Sequence, residues 1–431
     1  MRKLLVLPLF LIVLPHRFTY AATADGSIEM AAQQEEVSVI LAKQEIALPD
    51  LFRLAELTNP SLAAARSAVD IEAGRTRQAA LYPNPTFDVE VEELSTRTSE
   101  FRKDKVALVQ PLILSGRRGA AVSAARANHA SADYARQHTR REVFRRIHTL
   151  WAAQLYFHDA ERAVDELLEV ANRTLDIAQT RFDARAAPES HVTKALLEVY
   201  GLDVVRQQLT EERVQGTAEL LSLFDGTQVP LDRLVGSLDR DPIDDASAHV
   251  DDHPALWAAK TNVDAAAATL RAVKAARVPD LGLFVAYGKV RPADEGFVEA
   301  GISIPLPLFD RNQGRVAESH ALVAQANQHL RIVENDLDVT LAVTRQRYHT
   351  ARELRDTALN RIVPAAERGL AQAQEGYRVG RLPFLELIDA QRTHASVRRQ
   401  MLELKRALAA AEADLMSLVG VGPYGETGEN Q

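Results

Sequence analysis

The chain has 431 residues, 46% hydrophobic and 26% charged, with no cysteine and a formal net charge of −8. That balance belongs to an ordered protein with room for two or three ordinary domains. It excludes disulfides and a cysteine-borne lipid anchor, and the acidic charge gives little reason to bind nucleic acid.

Residues 1–24 read as a signal peptide: Arg2 and Lys3 begin it, an apolar run covers Leu4 to Leu14, and small residues gather at Ala21, Ala22 and Ala24. Arg2, Lys3 and Arg17 would leave with it, taking the net charge from −8 to −11. No later run of about 18 apolar residues could form a spanning helix, so only a β-barrel could cross a bilayer. An N-terminal extension fills 25–47, a first repeat 48–226, a linker rich in Asp, Pro and Gly 227–252, a second repeat 253–420 and a flexible tail 421–431.

Each repeat opens on a helix with proline at its first position, at Asn59-Pro60 and His253-Pro254. Beyond the turn Tyr82-Pro-Asn-Pro85, the periodicity changes to two: Phe87, Val89 and Val91 alternate with Asp88, Glu90 and Glu92, a strand with one apolar and one acidic face. A second strand is expected near Lys105 to Gln110, with counterparts in the second repeat at Leu281–Tyr287 and Phe297–Ile304; Pro111 and Pro305 should close the second strand of each pair.

Long helices follow, from about Ser115 to Phe182 and Asn312 to Tyr377, each a rod of about 100 Å at 1.5 Å per residue. Val143, Ile147, Leu150, Gln154, Phe157, Glu161, Val164, Leu168, Ala171, Leu175, Ala178 and Phe182 step alternately by four and three, which is coiled-coil spacing. The second return helix follows the same rule from Leu387 to Leu418, whereas Val192 to Leu223 follows it less cleanly. Pro364 should interrupt the second rod.

The halves repeat one another. Phe182, Pro188 and Ala195 return as Tyr377, Pro383 and Ala390, displaced by 195; Pro60, Leu62, Val69, Pro85 and Pro111 return as Pro254, Leu256, Val263, Pro279 and Pro305, displaced by 194. A tandem unit too elongated to bury its own apolar faces points to an assembly. Four strands per chain cannot close a barrel; two chains would supply eight and three would supply twelve, the larger count leaving the wider lumen.

The segments Leu81-Tyr-Pro-Asn-Pro-Thr-Phe-Asp-Val-Glu-Val-Glu, Gln110-Pro-Leu-Ile-Leu-Ser-Gly-Arg-Arg, Ile302-Ser-Ile-Pro-Leu-Pro-Leu-Phe-Asp-Arg-Asn-Gln-Gly314 and Tyr377-Arg-Val-Gly-Arg-Leu-Pro-Phe-Leu-Glu-Leu-Ile-Asp-Ala390 together resemble the TolC-type outer-membrane factors. The third is most similar to the branch serving cobalt-zinc-cadmium resistance pumps. The resemblance implies a mainly α chain contributing to a transmembrane β-barrel: a homotrimer with a 12-stranded barrel in outer-membrane lipid, continued by an α-helical tunnel through the periplasm of a Gram-negative cell. It implies a passive duct without cofactor, working with a periplasmic adaptor and a proton-driven RND pump of the inner membrane. Heavy-metal cations would be its cargo, with drugs or other small molecules as the alternative.

By the same resemblance, the entrance gate would fall on Tyr377, Glu386, Asp389 and His191, and the adaptor contacts on the tip residues Phe182, Arg185, Gly380 and Arg381. His191 stands where the family carries an acid, and Arg185 where it carries glycine. Glu386 and Asp389 share one side of a helix start, and threefold symmetry would gather six carboxylates there. The plainer reading makes them acids complementing a helix dipole. His249-Val-Asp-Asp-His253 has metal-like spacing, but His253 occupies the helix-capping slot that Asn59 fills in the first repeat. No nucleophile elbow, phosphate loop or His-Glu-x-x-His motif occurs, so no catalytic residue and no resident metal is assigned. A periplasmic coiled-coil scaffold would explain the rods and leave the paired strands without a purpose.

Overall fold

A computed structural model describes residues 22–96, 99–239, 249–291, 293 and 295–424. The leader lies outside them up to residue 21. Helix α1 spans Ala22–Leu41, α2 Leu48–Thr58 and α3 Pro60–Ala79. Strands β1 (Thr86–Thr96) and β2 (Ser99–Leu112) lead into α4 (Arg117–Asp183), which α5 (Glu189–Leu221) retraces. The second repeat runs α6 (Pro254–Ala275), β3 (Leu281–Arg291), β4 (Glu295–Ser303), α7 (Gln313–Thr357), α8 (Val363–Arg378) and α9 (Phe384–Val419). Among the described residues no helix is long and apolar enough to cross a membrane.

The caps form as the sequence indicates. Asn59 Oδ1 accepts the N–H of Leu62 at 3.1 Å, and its amide also donates to the carbonyl of Leu223 at 2.8 Å, tying the start of α3 to the end of the first hairpin. His253 Nδ1 accepts the N–H of Ala255 at 3.2 Å. Burial, and secondarily the charge of Arg141, pushes its pKa down to about 4, which keeps the lone pair available to the helix. The ring nitrogen that the metal reading needed is therefore committed to the cap.

The four strands form one antiparallel sheet in chain order. Its register aligns apolar side chains across it: Phe87, Leu108 and Val285 lie in one row, and Val89, Val106, Tyr287 and Val298 in another. All of these are exposed, Phe87 at 69% and Val298 at 74%. On the other face Ala107 and Ala286, paired across β2 and β3, are buried. Pro111 does not end β2, as the sequence suggested; it sits inside the strand opposite Gly282, while β4 stops at Ser303, ahead of Pro305.

Helix α4 has 67 residues, about 100 Å of rod. Its seam is buried at Val143, Ile147, Gln154, Phe157, Val164, Leu168, Ala171 and Ala178. The second rod breaks where Pro364 predicts, since residues Ala358–Ile362 take a π-helical turn just before it. Helix α5 buries only Ala195, Leu209 and Leu220 and leaves Leu197, Tyr200, Val204 and Val214 exposed. Its weaker heptad pattern has a physical reason: these four large apolar residues face away from its own chain.

At mid-length the helices gather around one core in which Phe52 stacks on Phe144 at 4.3 Å. Two expectations are corrected there. Residues 227–239 are more than a tether: Ile46 pairs in parallel with Leu234, and Val229 and Leu238 are buried in the core. The tail does not become free after Gly420, because Gly422–Tyr424 forms a 3₁₀ turn and Tyr424 is 1% exposed, its hydroxyl 2.9 Å from His148 Nδ1. Replacing Tyr424 with Ala should cost about 3–5 kcal/mol by emptying that site. Tyr424→Phe, which removes only the hydroxyl, should cost about 1–3 kcal/mol; thermal unfolding of the purified protein in detergent ranks the two.

Candidate functional site

The two hairpin tips share their turn hydrogen bonds at equivalent positions. At the first, Arg185 donates its N–H to the carbonyl of Phe182 at 2.8 Å and Ala186 donates to Arg181 at 2.8 Å; at the second, Gly380 donates to Tyr377 at 3.1 Å and Arg381 to Gly376 at 2.8 Å. The turn requires a left-handed residue, and both tips supply one, with φ of 75° at Gly380 and 57° at Arg185. Glycine meets that demand freely and arginine at a cost of about 1–2 kcal/mol. Phe182, Arg185, Gly380 and Arg381 are all exposed.

The residues expected at the gate separate into two groups. Tyr377 and His191 converge on Phe384, the first residue of α9: the His191 ring stacks on it at 4.6 Å and 18°, and the Tyr377 ring lies 5.6 Å away, tilted. The guanidinium of Arg181 lies over Tyr377 at 5.0 Å. Phe384 and Ile388, both buried, pack with Ala178 and Ala195 and join the tips of the two hairpins. Glu386 and Asp389 are exposed instead. Asp389 contributes to raising the pKa of Arg392, although the larger cause is the hydrogen bond from Arg392 to Glu198.

The repeat gives these positions a pattern. At the displacement of 195, His191 and Lys194 of the first tip correspond to Glu386 and Asp389 of the second. Equivalent positions thus carry basic groups on one hairpin and acids on the other.

Sequence reasoning missed the ties between hairpins. Arg398 meets Glu166 at 2.6 Å, Gln391 donates to Thr174 Oγ1 at 2.9 Å, and Arg392 pairs with Glu198. Each fastens α9 to α4 or α5. Partners 194 to 232 residues apart leave no local signal. Phe384 could have been found, because its counterpart in the first repeat is Glu189, a common helix-start residue.

The elements define a class of protein: a duplicated, mainly helical chain with an amphipathic sheet at one end and paired helical tips at the other. A profile of the outer membrane efflux protein family matches residues 51–224 and again 247–421, one match per repeat, and the chain belongs to that family. It is an outer-membrane efflux channel protein that extends into the periplasm. The cobalt-zinc-cadmium resistance protein CzcC of Cupriavidus metallidurans is 24% identical over 354 residues, covering 81% of this chain and 84% of CzcC. The nickel-cobalt-cadmium resistance protein NccC of Alcaligenes xylosoxydans xylosoxydans is 24% identical over 311 residues, 71% of this chain and 68% of NccC. The structure of the outer-membrane channel OprN superposes with a TM-score of 0.76 at 18% identity, over 87% of this chain and 90% of that one.

Burial, then the charges of Lys194 and Arg181, lowers the pKa of His191 below 6.5. The stacked state therefore favours the neutral imidazole. As pH falls through the ordinary histidine range, separated tips take up the proton more readily than stacked ones, so stacking weakens from about pH 6.5 downward. Single-channel conductance should be higher at about pH 5 than at about pH 7.5, and His191→Phe should abolish the difference.

Proposed function

We propose that three copies of this chain pool their sheets into a 12-stranded barrel in the outer membrane and their hairpins into a periplasmic tunnel, forming the exit duct of a tripartite system for heavy-metal cations. The observation that carries the assembly is the sheet itself. It has four strands, leaves β1 and β4 unpaired at its edges and bears an exposed apolar band on one face. In hydrocarbon every unpaired backbone group costs several kcal/mol, and closure with neighbouring copies removes both edges at once. The exposed stripe of α5 and a second on α7, at Ile332, Val339, Val343 and Leu354, supply helix surfaces for the same neighbours.

The chain would work with a periplasmic adaptor docked at the exposed tips, through Phe182, Arg185, Gly380 and Arg381, and with an RND pump of the inner membrane, and would itself be passive. The metal cargo rests on similarity to CzcC and NccC, whose names record cobalt, zinc, cadmium and nickel resistance. Glu386 and Asp389 support it: six carboxylates gathered by threefold symmetry would favour cations, each pair of charges about 4 Å apart interacting by about 4 kcal/mol at an effective dielectric of 20. Entrance closure is assigned to the Phe384 cluster and to the ion pairs of Arg392 and Arg398.

Deleting the chain should lower tolerance to cobalt, zinc or cadmium while leaving tolerance to drugs unchanged; loss of drug tolerance alone would make the cargo organic. Replacing Glu386 with Gln and Asp389 with Asn together should weaken cation selectivity in planar bilayers by about threefold, read from reversal potentials in a salt gradient.

A further inference from the structure

The face of the sheet opposite the apolar band carries a linked set of side chains that gate and cargo do not use. At its centre is Gly288 on β3, paired with Phe297 on β4. A Cβ on Gly288 would overlap the Phe297 ring, so the absence of a side chain lets that ring lie flat against the sheet. Phe284 and Gly301, also directly paired, repeat the arrangement, with an added Cβ falling 2.6 Å from the ring. Lys103 of β2 places its ammonium over Phe297, 4.5 Å from the ring centre, and reaches Glu299 at 3.0 Å. Lys105, two residues along the same face, meets Glu90 at 2.5 Å.

By strand alternation, Asp88, Glu90, Glu92, Glu295 and Glu299 share this face, against Lys103 and Lys105 as its cations among the described residues. The lysines stand between that wall and a much stronger negative potential. Their ammonium groups are fixed rather than free: one by a carboxylate, the other by a carboxylate and a ring whose position depends on a glycine.

We infer that this face is a second selectivity-determining region of the duct, at its outer-membrane end, in which Lys103, seated on Phe297 over Gly288 and paired with Glu299, limits the cation preference of the lumen. The inference rests on the barrel reading above, which makes this face the lumen wall. Three copies would multiply the imbalance around one bore of low-dielectric walls, where fixed charge acts strongly on permeating ions. Such a region would act on an ion after it has passed the tips, so its effect should persist when the entrance carboxylates are neutralised.

The test exploits the absence of cysteine from the chain. Lys103→Cys introduces a single thiol into the full-length protein, which is reconstituted in planar bilayers and treated from the aqueous side with cationic or anionic methanethiosulfonate reagents. Before treatment, the cation-to-anion permeability ratio should exceed wild type by about twofold. The cationic reagent should return it toward wild type and the anionic reagent raise it further, in the wild-type background and in one with Glu386 and Asp389 neutralised. Lys103→Arg should leave the ratio unchanged and Glu299→Gln should lower it, which covers failure of the cysteine variant to assemble. Modification that leaves the ratio unmoved in a conducting channel overturns the inference alone. A thiol unreactive to water-soluble reagents, or a wild-type protein that forms no channel, overturns the barrel reading and the inference with it.

Discussion

A backbone hydrogen bond left unmade in hydrocarbon is the constraint from which the rest of this architecture follows. Water satisfies an open strand edge at little cost, whereas lipid offers no donor or acceptor. A chain that contributes four strands among its described residues therefore cannot keep its sheet in a bilayer alone, whatever the apolarity of its outer face. In the proposed assembly, symmetry would resolve this without lengthening the chain and would place copies of every other element around the same axis. The long helices then need neighbours too, which fits the exposed apolar stripes of α5 and α7.

Duplication sets the second level of organisation. Both repeats carry a capped helix, a strand pair and a returning hairpin, and their tips share the same turn hydrogen bonds. The departures from symmetry concentrate where function is proposed. Arg185 accepts a left-handed conformation that Gly380 takes freely, Phe384 replaces a helix-start acid, and basic His191 and Lys194 stand at the positions where the other repeat carries Glu386 and Asp389. Only the second rod has the π-helical break before Pro364. A turn of that kind lets one hairpin bend while the other stays straight, an asymmetry that would serve the narrowing of the proposed tunnel at its entrance.

The mid-length core joins segments that look dispensable in the sequence. Residues 227–239 and Tyr424 both pack against α4, where Trp151 and His148 are nearly or fully buried. These contacts clamp the rods at their middle. The sheet and the tips lie at opposite ends of helices about 100 Å long, so the two regions proposed to select ions are mechanically and electrostatically separate.

Much of this was legible from residue order. Alternating Phe87, Val89 and Val91 gave the strand its faces, the step of four and three from Val143 gave the coiled coil, Asn59-Pro60 and His253-Pro254 gave the helix starts, and Pro364 gave the break, because each depends on neighbours within a turn or two along the chain. The repeat itself was visible, and with it the equivalence of Arg185 and Gly380. Tertiary structure decided what no local pattern encodes: that Tyr424 and residues 227–239 belong to the core, that Pro111 stays inside its strand, that His191 meets Phe384, and that Lys103 of the first repeat is held by Phe297 and Glu299 of the second. The physical reason is the same in each case. Such contacts join residues far apart in sequence, and they come together only when the strands and rods of the two repeats align side by side.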